Sequence, residues 1–129
     1  MNPNNLRIGH GYDVHRFERA YVEAKPLTLA GVVLADKMSL VAHSDGDVIL
    51  HATCDAILGA LGEGDIGQHF PDTDPKFAGV ASADLVQQVL VMMGARQHYI
   101  VNIDITVIAE VPKLTPHRVN MISSLANLL

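Results

Sequence analysis

The sequence predicts a mixed domain whose strands and helices follow one another in α/β or α+β order. Three observations carry this. Residues 6–15 alternate with period two, with Leu6, Ile8, Tyr12 and Val14 on one face and Arg7, Gly9, Gly11, Asp13 and His15 on the other. Residues 99–108 form a β-branched, apolar run, the strongest strand pattern in the chain. Apolar residues recur at helical spacing in three stretches, near residues 48–58, 85–93 and 119–129.

At 129 residues the chain is read as a single domain, 1–129, large enough to bury a core. Hydrophobic residues make up 49% but aromatic residues only 5%, with no Trp, so the core is aliphatic. A mean hydropathy of +0.22 predicts that some apolar surface is buried between subunits. No apolar run approaches the roughly 20 residues of a membrane span. The start, Met1-Asn2-Pro3-Asn4-Asn5, has neither the basic nor the apolar region of a signal peptide, so a cytoplasmic (bacterial) location is expected. The single cysteine, Cys54, allows no internal disulfide and fits a reducing compartment.

The net charge of −5 is unevenly spread. Residues 38–75 contain no Lys or Arg, yet hold Asp45, Asp47, Asp55, Glu63, Asp65, Asp72 and Asp74 with His43, His51 and His69. Such carboxylates must be solvated, capped by backbone N–H groups or neutralised by metal. With no basic stripe to release counterions, nucleic acid is excluded as a partner.

Taken in order, residues 6–15 read as a strand whose glycines leave room for a ligand or another backbone. The Gly-x-Gly there is no dinucleotide fingerprint, because Val14 stands at the third glycine position. Residues 16–26 read as a loop. Residues 27–34 read as a strand with Gly31 a turn or bulge. Ser44 or Asp45 is expected to cap a helix starting near Asp47, with Val48, Ile49, Ala52, Ala56 and Leu58 inward and an end between Gly59 and Gly64. Residues 64–75 form a long, turn-rich loop of the kind that often carries function. Ser82 is expected to cap the next helix and Gly94 to stop it, with Leu85, Val86, Val89, Leu90 and Met93 inward. Thr115-Pro116 opens the last helix, with Val119, Ile122, Leu125, Ala126 and Leu129 inward.

Within this frame the candidate chemistry is metal binding. On a strand, Asp13 and His15 share a face about 7 Å apart. His51, arriving from a helix, would close a three-ligand N/O site with an open fourth position, the usual design of a catalytic zinc site. Asp55 lies one helical turn from His51 and is expected to orient it. Bland alternatives stand beside each residue. Asp13 could end a strand in a turn, His15 could be merely exposed, and His51 could be a hydrogen-bonded core histidine. His43 and Ser44 sit either in a capped turn or beside a phosphate at a helix N-terminus. The loop from Asp65 to Asp74 is solvated or functional, and Lys113 is a surface lysine or a phosphate contact. Cys54 is most simply a small core residue.

These stretches together resemble the 2-C-methyl-D-erythritol 2,4-cyclodiphosphate synthase family of the non-mevalonate isoprenoid pathway. The matching runs are Arg7-Ile8-Gly9-His10-Gly11-Tyr12-Asp13-Val14-His15, residues 42–51 and 64–75, and Pro112-Lys113-Leu114, so the resemblance covers essentially the whole chain. It implies an α/β (α+β sandwich) subunit, a mixed β-sheet covered by helices on one side, with subunits packed sheet-to-sheet in a homotrimer whose active sites lie between neighbours. It implies Zn²⁺, or a similar divalent ion, on Asp13, His15 and His51. It places His43 as the catalytic residue stabilising the transition state and Ser44 on the substrate phosphate. Asp65, Ile66, Gly67, Phe70, Pro71, Asp72, Thr73 and Asp74 would line the methylerythritol pocket. Ala109, Glu110, Val111, Pro112, Lys113, Leu114 and Thr115 would hold the cytidine nucleotide for the adjacent subunit.

The implied reaction converts 4-diphosphocytidyl-2-C-methyl-D-erythritol 2-phosphate, a small cytidine diphosphate substrate, into the 2,4-cyclodiphosphate and CMP. The resemblance also implies Mg²⁺ or Mn²⁺ on the diphosphate, held by a glutamate in a C-terminal tail that this sequence does not contain. That departure leaves two rival readings open, a catalytically inactive metal-binding trimer and a metal-dependent phosphohydrolase.

Overall fold

The computed structural model describes residues 5–129. The reading of Met1 to Asn4 as no signal peptide lies outside the described residues. The mixed class is as expected: a short hairpin, β1 (Thr28–Leu29) and β2 (Val32–Val33), precedes helices α1 (Val48–Leu61), α2 (Ile66–His69), α3 (Ser82–Ala95) and α4 (Arg118–Leu128). No helix among these residues is long and apolar enough to cross a membrane.

Helix α1 is the organising element. Leu50, Cys54, Ile57, Leu58 and Leu61 pack against Leu85, Val86 and Val89 of α3 to make one buried cluster. Ile49 reaches a second cluster with Leu27, Leu29, Ala30, Leu34, Leu40 and Met121, which joins the hairpin to α4. The helix ends where the sequence places its stop, at Gly62, whose φ of 73° is left-handed.

Its start differs from the expectation. The cap is neither Ser44 nor Asp45 but Asp47, whose Oδ1 accepts from Leu50 N at 3.1 Å. The same buried carboxylate accepts from Ala30 N at 2.9 Å and Gly31 N at 2.7 Å. Ala30 and Gly31 both have positive φ, 54° and 76°, as a two-residue β-hairpin turn requires. Residues 27–34 are therefore a tight hairpin rather than one strand, and Asp47 ties its turn to the helix. Burial pushes the Asp47 carboxyl above its ordinary pKa, against these backbone hydrogen bonds.

Three other expectations are corrected. Ser82 is the first residue of α3, not its cap; Ala81 is the cap and makes no side-chain bond, while the Ser82 N–H donates to Asp45 Oδ2 at 3.0 Å. Gly94 does not stop α3, which runs on to Ala95 and ends at Arg96. In α4, preceded by a 3₁₀ turn at Thr115–His117, Met121 is buried and Leu125 packs inward, whereas Val119 and Ile122 are exposed and Ala126 faces out. The contact of Met121 with the hairpin cluster sets that register.

The expected strands at 6–15 and 99–108 enter no ladder among the described residues; the only sheet is β1–β2, with one bridge between Phe17 and Leu40. Residues 11–15 of the first stretch and 103–108 of the second nevertheless alternate in burial. In the first, Ile8, Tyr12 and Val14 face out, and Gly11, Asp13 and His15 face in. The apolar pattern thus reports a half-buried surface, not a paired one. Gly9 and Gly11 make room for another backbone, that of α1. A Cβ on Gly11 would lie 1.7 Å from Ala52 O, and one on Gly9 1.7 Å from Ala56 O.

Candidate metal centre

The residues at 13 and 15 point the same way because the chain alternates there, and that inner face is pressed onto the first turn of α1, where His51 sits. Asp13 Oδ2 is 2.9 Å from His15 Nε2 and 3.2 Å from His51 Nδ1. His15 Nε2 and His51 Nδ1 are 3.3 Å apart. Two ligands about 2.05 Å from one tetrahedral ion stand about 3.3 Å apart, so this triangle has the size a zinc ion needs.

The donor chemistry fits as well. His15 Nδ1 is 3.0 Å from Val41 O, and a carbonyl oxygen only accepts. His15 therefore carries its proton on Nδ1 and turns the Nε2 lone pair to the centre of the triangle. A carboxylate and an imidazole lone pair facing each other at this range call for a cation between them. For Asp13, burial pushes the pKa up, but the adjoining His51 ring and the charges of His15 and His51 hold it below its ordinary value. For His51, burial pushes the pKa down, but contact with Asp13 outweighs it and raises the value. Asp13, His15 and His51 together form a group able to hold a metal ion.

Behind this triangle the structure departs from the sequence reading. Asp55 does not hydrogen-bond His51. Its Oδ1 accepts from Ile66 N at 2.8 Å, which pins the loop after α1 to the helix. The side chains on the far nitrogen of His51 are Ser82 Oγ, 2.8 Å from Nε2, and Ser44 Oγ, 3.3 Å away. Ser82 was legible only as a cap, since 31 residues separate it from His51.

His43 is exposed just before α1, and its carbonyl accepts from Gly79 N at 3.3 Å. The stretch without Lys or Arg acquires a cation from outside, since Lys25 Nζ donates to Ala42 O beside His43. In the following loop Asp65 caps α2 through Gln68 N, and Asp74 caps a 3₁₀ turn through Lys76 N. Phe70 stacks edge-on against Phe77, and Gly67, Asp72 and Thr73 are exposed. Residues 109–115 form a separate, mostly exposed loop in which Pro112 is buried and Leu114 packs on the hairpin cluster. Among the described residues, no hydrogen bond or ion pair joins that loop to Asp13, His15 or His51.

The YgbB family model matches residues 6–129. The chain belongs to the YgbB family. It is 51% identical over 124 residues to a 2-C-methyl-D-erythritol 2,4-cyclodiphosphate synthase of Idiomarina loihiensis, covering 96% of this chain and 76% of that one. It is 50% identical to the synthase of Francisella tularensis subsp. novicida, covering 97% of this chain and 77% of that one. Among solved members, a 2C-methyl-D-erythritol-2,4-cyclodiphosphate synthase bound to CDP superposes with a TM-score of 0.85 at 40% identity, over 95% of this chain and 79% of that one. A Plasmodium falciparum IspF–CDP complex gives a TM-score of 0.79 at 40% identity, over 95% of this chain and 72% of that one. The mixed α/β fold of this YgbB chain is thus the fold of those enzymes.

Proposed function

We propose that this YgbB-family chain is a 2-C-methyl-D-erythritol 2,4-cyclodiphosphate synthase, a lyase of isoprenoid precursor biosynthesis. The observation that carries the proposal is the convergence of Asp13, His15 and His51, in a chain half identical to synthases of that name. The substrate is 4-diphosphocytidyl-2-C-methyl-D-erythritol 2-phosphate. An oxygen of its 2-phosphate forms a bond to the β-phosphorus, the bond from that phosphorus to the bridging oxygen breaks, and CMP leaves with the electron pair.

Asp13, His15 and His51 would hold the divalent ion, for which two imidazoles and a carboxylate suit zinc. When bound, that ion supplies positive charge for a polyanionic substrate in a locally acidic surface. His43, exposed just before α1, stabilises charge on the transferring phosphoryl group, and Ser44 binds phosphate oxygens. Residues Asp65 to Gly67 and Phe70 to Asp74 hold the methylerythritol portion, and Ala109 to Thr115 the cytidine. Catalysis here is mainly positioning, since nucleophile and electrophile belong to one molecule.

A homotrimer whose sites are completed by the 109–115 loop of a neighbouring subunit belongs to the same proposal. Exposed Ile8, Tyr12, Val14, Val101 and Ile108 supply the apolar surface such an assembly would bury. Mg²⁺ or Mn²⁺ on the diphosphate and a cytoplasmic location belong to the same proposal.

The test is incubation of the protein with substrate, Zn²⁺ and Mg²⁺, followed by ³¹P NMR. Cyclic diphosphate with CMP is expected, and chelator-stripped protein should form neither. Linear hydrolysis products would instead mark a phosphohydrolase, and metal binding without turnover a non-catalytic trimer.

A further inference from the structure

His51 presents its two ring nitrogens to opposite sides. Nδ1 faces Asp13 Oδ2 and His15 Nε2, at 3.2 and 3.3 Å. Nε2 faces Ser82 Oγ at 2.8 Å. Ser82 is wholly buried, and its hydroxyl makes a close hydrogen bond to Asp45 Oδ1 while its N–H reaches Asp45 Oδ2.

Proton counting fixes the roles. A carboxylate only accepts, and a serine hydroxyl has one proton. That proton goes to Asp45, so Ser82 Oγ is left to accept from His51. His51 must then carry its proton on Nε2, which leaves Nδ1 as a bare lone pair. The longer 3.3 Å approach of Ser44 Oγ to Nε2 is compatible, because an oxygen there can share the same N–H; Ser44 Oγ also accepts from Gly46 N at 3.2 Å.

We propose that Ser82, held by Asp45, is a positioning residue that locks His51 in its Nε2–H tautomer and aims the Nδ1 lone pair between Asp13 and His15. The competing arrangement is clear. A histidine free to choose would place its proton on Nδ1 and donate to Asp13, closing the triangle with an internal hydrogen bond that a cation must break. The pairing of buried Ser82 with half-buried Asp45 removes that option before any cation arrives. His15 is locked in the opposite sense by Val41 O, so backbone and side chain together prepare both imidazoles. Ser82 opens α3 and Asp45 precedes α1, so this pair also couples the metal site to the packing of those two helices.

The role in metal binding rests on the reading of Asp13, His15 and His51 as the cation site, but the tautomer can be read without any cation. Long-range ¹H–¹⁵N NMR of the histidine rings in metal-free protein at mildly alkaline pH should show His51 as the Nε2–H form. An Nδ1–H form in the wild-type protein would overturn the proposal. In Ser82→Ala, which keeps the backbone bond to Asp45, the His51 signals should move toward the Nδ1–H form. Zinc affinity by chelator competition should fall roughly 10–100-fold. Ser82→Thr, which keeps a hydroxyl, should recover both. A folded Ser82→Ala with wild-type tautomer and wild-type affinity would also overturn it. If Ser82→Ala does not fold, the wild-type ring spectrum decides alone. Wild-type protein that shows the Nε2–H form but binds no zinc would instead sink the metal reading and leave the tautomer lock standing.

Discussion

Replacing Gly11 by Ala tests how closely the metal ligands depend on a backbone contact. A Cβ at this position would sit 1.7 Å from Ala52 O, 2.7 Å from Ala52 C and 2.8 Å from Ala56 N. All three are backbone atoms of α1, so no side chain can swing aside. To reach even a tight contact the segment must lift by about 1.3 Å, because packed interiors do not absorb such overlap. Asp13 lies two residues on and moves with it, against a tolerance of about 0.5 Å for a working ligand set. Zinc affinity should therefore fall by about 100-fold or more. Chelator competition measures the affinity, and circular dichroism checks that the helices remain. Gly94→Ala is the matched control: its Cβ meets nothing within 4 Å, it lies inside α3, and the change should add about 0.5–1 kcal/mol of stability with zinc binding unaltered. Zinc affinity of folded Gly11→Ala within twofold of wild type would refute the claim that contact with α1 positions Asp13.

Further outcomes are expected at Asp47, at Cys54 and at the two histidines. Asp47→Ala removes a helix cap and strands the buried Ala30 N–H, so urea unfolding should show a loss of about 2–4 kcal/mol; a loss below about 0.5 kcal/mol would show that the hairpin turn does not depend on this carboxylate. Cys54 is buried and its thiol is pushed up to about 12, by burial and then by Asp55 and Asp47, so disulfide reagents at pH 8 should leave it untouched until the protein unfolds. Because folding raises that pKa, the thiol's contribution to stability is complete below pH 9 and is lost as pH climbs through the folded value, which a series of unfolding midpoints would follow. His43→Ala should keep stoichiometric zinc but lower kcat, whereas His51→Ala should lose both; zinc loss in the His43 variant would mean that the two histidines have exchanged roles.

The parts of the site that follow from local periodicity were legible in the sequence. Asp13 and His15 share a face because period two holds along 6–15, even though no strand pairs with it among the described residues. His51 meets them because α1 begins where an acidic cap is available. Local logic failed where tertiary contacts compete. Asp55 is a helical turn from His51, yet its carboxylate serves Ile66 N, while His51 is held by a serine from another helix. Asp45 and Asp47 are equally good caps by composition. Asp47 takes the role because its carboxylate also meets the hairpin turn, and that turn is not visible in the residues around it. The run at 99–108 is strand-like in composition, but pairing needs a partner backbone that composition does not specify.

The most direct test of the central claim is anomalous diffraction from zinc-loaded crystals across the zinc absorption edge. One strong peak is expected, bounded by Asp13 Oδ2, His15 Nε2 and His51 Nδ1. Ordered zinc elsewhere, with those three atoms still in mutual hydrogen-bond range and no metal between them, would contradict it.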